Sequence, residues 1–198
     1  EFVVAVLSRE KFLTLENSKD VLGYTTKFRE DPIYLDPRHK DLGARLITNL
    51  EKLHLSLKLL ELKSSNLDEY YSVSNKLGIP QINTDKLQNN LFGIECNLNE
   101  LNGIDFKKGC YVGQENTARI KLKDKLSKRL FPVEVIEGDL SKDNIIHHEN
   151  TELGKVLIND KFPFAIVKFK DKNFKFEKIF KCGSASVKIK KPYWFKFD

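Results

Sequence analysis

Two textures of hydrophobic and polar residues follow one another along this chain. In the first, Phe2-Val3-Val4-Ala5-Val6-Leu7 is an unbroken apolar run, which predicts a buried strand. Residues 9–22 mix charge with leucine and predict a helix ended by Gly23. Ile33-Tyr34-Leu35 runs into the turn signal Asp36-Pro37, and residues 42–46 begin another strand. Leu53, Leu55, Leu57 and Leu59 alternate with polar residues, a strand pattern. Asn66-Leu67-Asp68-Glu69 opens a helix whose Tyr70, Val73 and Leu77 share a face before Gly78 and Pro80.

After about Leu126 the second texture takes over. Short alternating runs follow at 130–135, 154–158, 164–169, 174–180 and 187–190, parted by Asn159-Asp160-Lys161 and Asp171-Lys172-Asn173. That rhythm predicts a small antiparallel barrel or sandwich, with Trp194 closing its edge or covering its core. The fold class is therefore α+β: a mixed region over 1–127, then a β-barrel domain over 128–198.

Composition narrows the class. A chain of 198 residues accommodates one large domain or two small ones, and 40% hydrophobic with 31% charged residues is ordinary for a folded domain. No run of eighteen apolar residues exists, so no helical membrane span is expected. Glu1 leads straight into the first strand, which reads as a strand entered midway, so any targeting segment is expected to lie before this chain and the start of the chain says nothing about address. Cys96, Cys110 and Cys182 are too few and too scattered for a disulfide framework, and no C-x-x-C pair supports a resident zinc or cluster site. A reducing compartment fits. His147-His148 lies in a polar, loop-like stretch and is a poor metal-ligand set by itself.

Charge is uneven. Residues 1–104 carry 13 Lys/Arg against 15 Asp/Glu, residues 105–131 carry 8 against 3, and residues 132–198 carry 13 against 10. The basic excess around 105–131 suits an anionic ligand, an acidic partner or RNA, and equally suits a solvated lysine-rich face. Arg38 and Arg45 are further candidate anion contacts that ordinary surface ion pairs would also explain.

Lys107-Lys108-Gly109-Cys110-Tyr111-Val112-Gly113-Gln114-Glu115 concentrates chemistry that a core segment has no use for. Two lysines beside Cys110 favour its thiolate, and Gly109 and Gly113 allow a tight bend that leaves amides free. Gln114 and Glu115 are read as fixing the loop, Glu115 through Arg119 one turn on. Tyr111 either stacks on a flat ligand or packs. One sulfur cannot hold a cluster alone, so the chemistry open to Cys110 is a ligand set shared with a partner, or transient handover.

This stretch resembles the K-G-C-Y-x-G-Q-E signature of the folate-binding, aminomethyltransferase-like (T-protein-like) superfamily. The resemblance extends upstream through Phe92-Gly93-Ile94-Glu95-Cys96-Asn97-Leu98 and Leu101-Asn102-Gly103-Ile104-Asp105-Phe106. Downstream it takes in Thr117-Ala118-Arg119 and Lys128-Arg129-Leu130-Phe131-Pro132-Val133. The Arg-Leu-Phe-Pro-Val ending, Asp36-Pro37-Arg38 and Leu42-Gly43-Ala44-Arg45-Leu46 are most similar to the mitochondrial branch, which works in iron–sulfur cluster assembly.

The resemblance implies a C-terminal β-barrel, a mitochondrial matrix address and an N-terminal portion of the family fold that is missing here. It implies an assembly factor rather than an enzyme. Such a factor acts with A-type scaffold proteins to form [4Fe–4S] clusters for target iron–sulfur enzymes. In that reading Cys110 contacts a transient, shared cluster, and Lys107 and Lys108 offset its negative charge. The alternative is a folate-dependent aminomethyl transferase, or a tetrahydrofolate-binding factor in RNA modification. Glu95 would then accept hydrogen bonds from the pteridine. For RNA itself, only Phe106, Tyr111 and Phe131 interleave with the lysines, which is thin for a stacking surface. Cys96, beside Phe92 and Ile94, is read as a core residue.

Overall fold

The computed structural model of the chain describes residues 2–109, 117–119, 126–140 and 144–196. It divides into two compact units, Glu1–Val73 and Ser74–Asp198.

The first unit is a four-stranded antiparallel sheet with short helices. Strands β1 (Phe2–Leu7), β2 (Thr25–Phe28), β3 (Asp31–Leu35) and β4 (Ala44–Asn49) lie in the order β1-β4-β3-β2. Helix α1 (Arg9–Leu13) follows β1, with the Ser8 hydroxyl accepting from the Lys11 amide. Phe12 from α1 meets Ile33, Leu35, Ala44 and Leu46 in the unit's core. Gly43 is required where β4 begins: its φ is 71°, and a Cβ there would come within 2.1 Å of the Leu7 carbonyl oxygen.

Three expectations are corrected here. β1 is an edge strand rather than a buried one: among the described residues it pairs with β4 alone, and Phe2 is 79% exposed. An edge strand has one paired side and one packed face, so half of an apolar run stays in water. The helix expected over 9–22 stops at Leu13. Thr14 and Ser18 donate their hydroxyls to the carbonyls of Lys11 and Leu13, and Asn17 turns left-handed at φ 60°. Gly23 ends no helix; its amide donates to the Leu35 carbonyl.

The leucines at 53–59 form helix α2 (Leu50–Leu59), not a strand. Asn49 accepts from the Lys52 amide at 2.8 Å and starts it. The inward face runs Leu53, Ser56, Leu57, Leu60, positions i, i+3, i+4 and i+7 of a helix, while Leu55 and Leu59 are left 55% and 64% exposed. The extra exposed leucines mimic a two-residue period. The expected helix after Asn66 is found as α3 (Leu67–Lys76), with Asn66 Oδ1 accepting from the Asp68 amide.

The second unit is built on a closed antiparallel barrel. Its strands are β5 (Arg129–Glu137), β6 (Ile145–His148), β7 (Thr151–Ile158), β8 (Phe164–Val167), β9 (Ile179–Cys182) and β10 (Ala185–Ile189), in the order β10-β5-β8-β7-β6-β9. Pairing of β9 with β10 closes the ring, which removes open sheet edges. The chain is thus α+β with a C-terminal barrel.

Phe131 sits in the barrel core at 5.0 Å, edge-on, from both Phe176 and Phe195. The strand expected over 174–180 is only Ile179–Cys182. Phe174 and Phe176 precede it in turns and pack their rings against the core, so their apolar character serves filling rather than pairing. His147 and His148, expected in a loop, belong to β6. There His147 lies opposite Glu152 and Lys181, and the His148 ring packs edge-on to Phe180.

The described residues of 74–109 belong to the same compact unit as the barrel. Side chains from this stretch complete the barrel's exterior. Leu87, Leu91 and Cys96 pack on Leu130, Ile158 and Phe164, and Trp194 donates its indole N–H to the Leu77 carbonyl at 2.8 Å. Among the described residues no helix is long and apolar enough to cross a membrane.

Candidate functional site

The segment 92–109, which leads into the cysteine signature, is a chain of tight turns laid against β5. The amides of Glu95 and Cys96 both donate to the Phe92 carbonyl, Leu101 donates to Asn97, and Gly103 donates to Leu98. Asn97 and Asn102 adopt left-handed backbone at φ 62° and 58°, which asparagine tolerates better than most residues. Ile94 enters the barrel core, with Ile104 and Phe106 packed against it.

A polar bracket pins this segment to the barrel. Asn97 is fully buried. Its Nδ2 donates to the Leu130 carbonyl at 2.8 Å, and its Oδ1 accepts from Arg129 at 2.9 Å. Arg129 also pairs with Glu100 at 2.6 Å and lies over the rings of Phe169 and Phe195. The Leu130 amide in turn donates to the Glu95 carbonyl at 2.9 Å. The bracket was not singled out from the sequence. Locally nothing marks Asn97 as buried, since it stands among the polar Glu95, Asn99 and Glu100.

The candidate residues can now be placed. Lys107, Lys108 and Gly109 are exposed. The Lys107 amide donates to Asp105 Oδ1 at 2.8 Å, a local turn that carries the chain outward, and a Cβ on Gly109 would meet nothing within 4 Å. Cys110, Tyr111, Gly113, Gln114 and Glu115 lie outside the described residues. Glu95 is half-buried, and its Oε2 accepts from the Phe92 amide at 2.9 Å.

The other two cysteines are internal. Cys182 is fully buried in the barrel. Cys96 packs beside Leu130, and burial, reinforced by the Glu95 charge, pushes its thiol up to about 11, so it stays protonated at neutral pH. Neither is a displayed thiolate.

A second polar cluster lies in the first unit. Asp36, only 1% exposed, takes both candidate arginines. Arg38 Nε and Nη2 donate to its two oxygens at 2.9 and 2.7 Å, and Arg45 Nε donates to Oδ2 at 2.8 Å. Tyr70 from α3 accepts from Arg45 Nη2 at 2.6 Å and from Arg38 Nη2 at 3.4 Å. Burial alone would raise the Asp36 carboxyl, but hydrogen bonds from Arg38 and Arg45 outweigh it and hold the group below the usual carboxylate range. Sequence reading named the arginines and missed Asp36 and Tyr70 as the groups that gather them. Register and helix docking, which no local pattern records, bring the four together.

No family model matches the chain. It is similar to iron-sulfur cluster assembly factor IBA57 homolog, mitochondrial, of Dictyostelium discoideum, with 34% identity over 115 residues, 58% of this chain and 28% of that protein. The mouse protein, iron-sulfur cluster assembly factor IBA57, mitochondrial, is 36% identical over 110 residues, 56% of this chain and 30% of its own length. The Aspergillus oryzae homolog is 40% identical over 109 residues, 53% and 24% respectively. The match therefore spans less than a third of each of these relatives.

Proposed function

We propose that this chain acts in mitochondrial iron–sulfur cluster assembly, working with A-type scaffold proteins to mature target [4Fe–4S] enzymes. The observation that carries this reading is its 34–40% identity to three relatives that all bear that assembly-factor name. Cluster chemistry agrees with the residues. Of three cysteines, the two described are shielded, so Cys110 is the thiol left to contact a cluster. The exposed Lys107 and Lys108 precede it, where ammonium groups would offset the negative charge of a thiolate-ligated cluster.

One sulfur supplies one ligand. The cluster is cargo, held jointly with the partner, and Tyr111, Gly113, Gln114 and Glu115 of the signature belong to the proposed cluster- and partner-binding set. The factor is a binding component rather than a turnover enzyme. The transferase alternative would set Glu95 on a pteridine ring. Its Oε2 accepts from the Phe92 amide, so one of the carboxylate's acceptor positions is already used within the turn.

The test is reconstitution of a [4Fe–4S] cluster with an A-type partner, followed by absorption spectra and activation of an apo-enzyme. Cys110→Ala is expected to lower cluster yield while Cys96→Ala leaves it unchanged. Equal yields from Cys110→Ala and wild type would overturn the role of the thiol.

A further inference from the structure

The cluster at Asp36 does more than join two strands. Two guanidinium groups share one carboxylate oxygen and one phenol oxygen, so they lie side by side. One carboxylate balances only one of them, and their mutual repulsion is half relieved. Both are held still. The Arg38 amide as well as its side chain binds Asp36, Arg45 projects from β4, and the Arg45 guanidinium lies 5.9 Å from the Tyr70 ring centre.

Both remain reachable, with 27% and 23% of their side chains exposed. The guanidinium bonds of both use Nε and Nη2; among the described residues, Nη1 of each donates to no partner. A fixed pair of partly exposed cations with spare N–H groups is the arrangement that binds planar or tetrahedral oxyanions in two-pronged fashion.

We propose that Arg38 and Arg45, held on Asp36 and Tyr70, form a binding site for an oxyanion of the phosphate or carboxylate type. The site belongs to the first unit and is independent of the cysteine signature. Bound anion completes the charge balance that Asp36 begins. Phosphate and carboxylate ligands share this chemistry, and titration separates them.

The experiment follows the arginine Nε–H resonances of the 198-residue chain by NMR at constant ionic strength. Inorganic phosphate is titrated in one arm, glutarate in a second and chloride in a third. The expected result is saturable movement of two arginine signals with phosphate, glutarate or both, whichever responds naming the ligand, and none with chloride. Arg38→Lys keeps a charge on Asp36 but loses the fork, so its affinity should fall about tenfold, the equivalent of roughly 1.4 kcal/mol. Thermal unfolding gives a second readout. The melting temperature of wild type should rise with the responding anion, as binding to the native state requires, and that of Arg38→Lys should rise less. Indistinguishable titrations in all three arms, or an Arg38→Lys chain that binds as wild type does, would overturn the site.

Discussion

Asn97→Ala is the substitution that most directly tests how the signature segment is held. The side chain is fully buried and makes two hydrogen bonds, to the Leu130 carbonyl and from Arg129. Alanine removes both and leaves buried polar groups without that partner, at about 1–3 kcal/mol each. Alanine at φ 62° adds about 1 kcal/mol of backbone strain that asparagine largely avoids. Loss of the Oδ1 contact is the smaller part, because Arg129 keeps Glu100 at 2.6 Å.

The net expectation is a loss of about 3–4 kcal/mol, or roughly 10–15 °C in Tm for a unit of this size. Trp194, the sole tryptophan, packs on the same barrel core and reports urea unfolding by fluorescence. Asn97→Gly separates the contributions: it keeps the left-handed backbone and should recover about 1 kcal/mol. A loss below about 1 kcal/mol for Asn97→Ala would refute the bracket as the anchor of residues 92–109. Equal losses for alanine and glycine would refute the strain contribution.

Other outcomes follow from the same geometry. Alkylation of Cys96 should stay slow at pH 8 and accelerate only as pH approaches about 11, measured by mass spectrometry of the Cys96 peptide. At the end of α2, Leu60→Ala, at the C-cap, should cost about 2–3 kcal/mol in urea unfolding and Leu59→Ala less than about 0.5, because of these two Leu60 is buried and Leu59 is 64% exposed. Asp36 has a folded-state carboxyl below its unfolded value, so its stabilisation is present above the unfolded carboxylate range, near pH 4. It is lost as pH falls through the depressed value. Wild type should therefore lose stability on acidification from pH 5 to 2 more steeply than Asp36→Asn, read from urea midpoints across that range.

Much of the barrel was readable in advance. β5, β7, β8 and β10 each overlap an expected run, because alternation on a one-sided sheet is a local signal. Helix α3 was readable through Asn66 at its start, but its expected face was only partly right: Leu77 is buried, Val73 is 39% exposed, and Ser74 is the residue turned inward. The departures have specific physics. α2 hid behind exposed leucines, Phe174 and Phe176 fill space without pairing, and β6 carries two histidines that local polarity assigns to a loop. At the candidate site, the motif and the direction of charge were legible, since Lys107, Lys108 and Cys110 are neighbours along the chain.

By itself, then, the order of residues determined the fold class and the barrel, consequences of spacing over a few residues, and it is the whole basis for proposing Cys110 as the working thiol. The tertiary structure alone decided which side chains meet across long separations. Asn97 meets Leu130 and Arg129, and Asp36 meets Arg45 and, through the arginines, Tyr70. Those encounters depend on strand register and on the docking of helices, quantities set by the packing of whole elements and written in no single stretch of the chain.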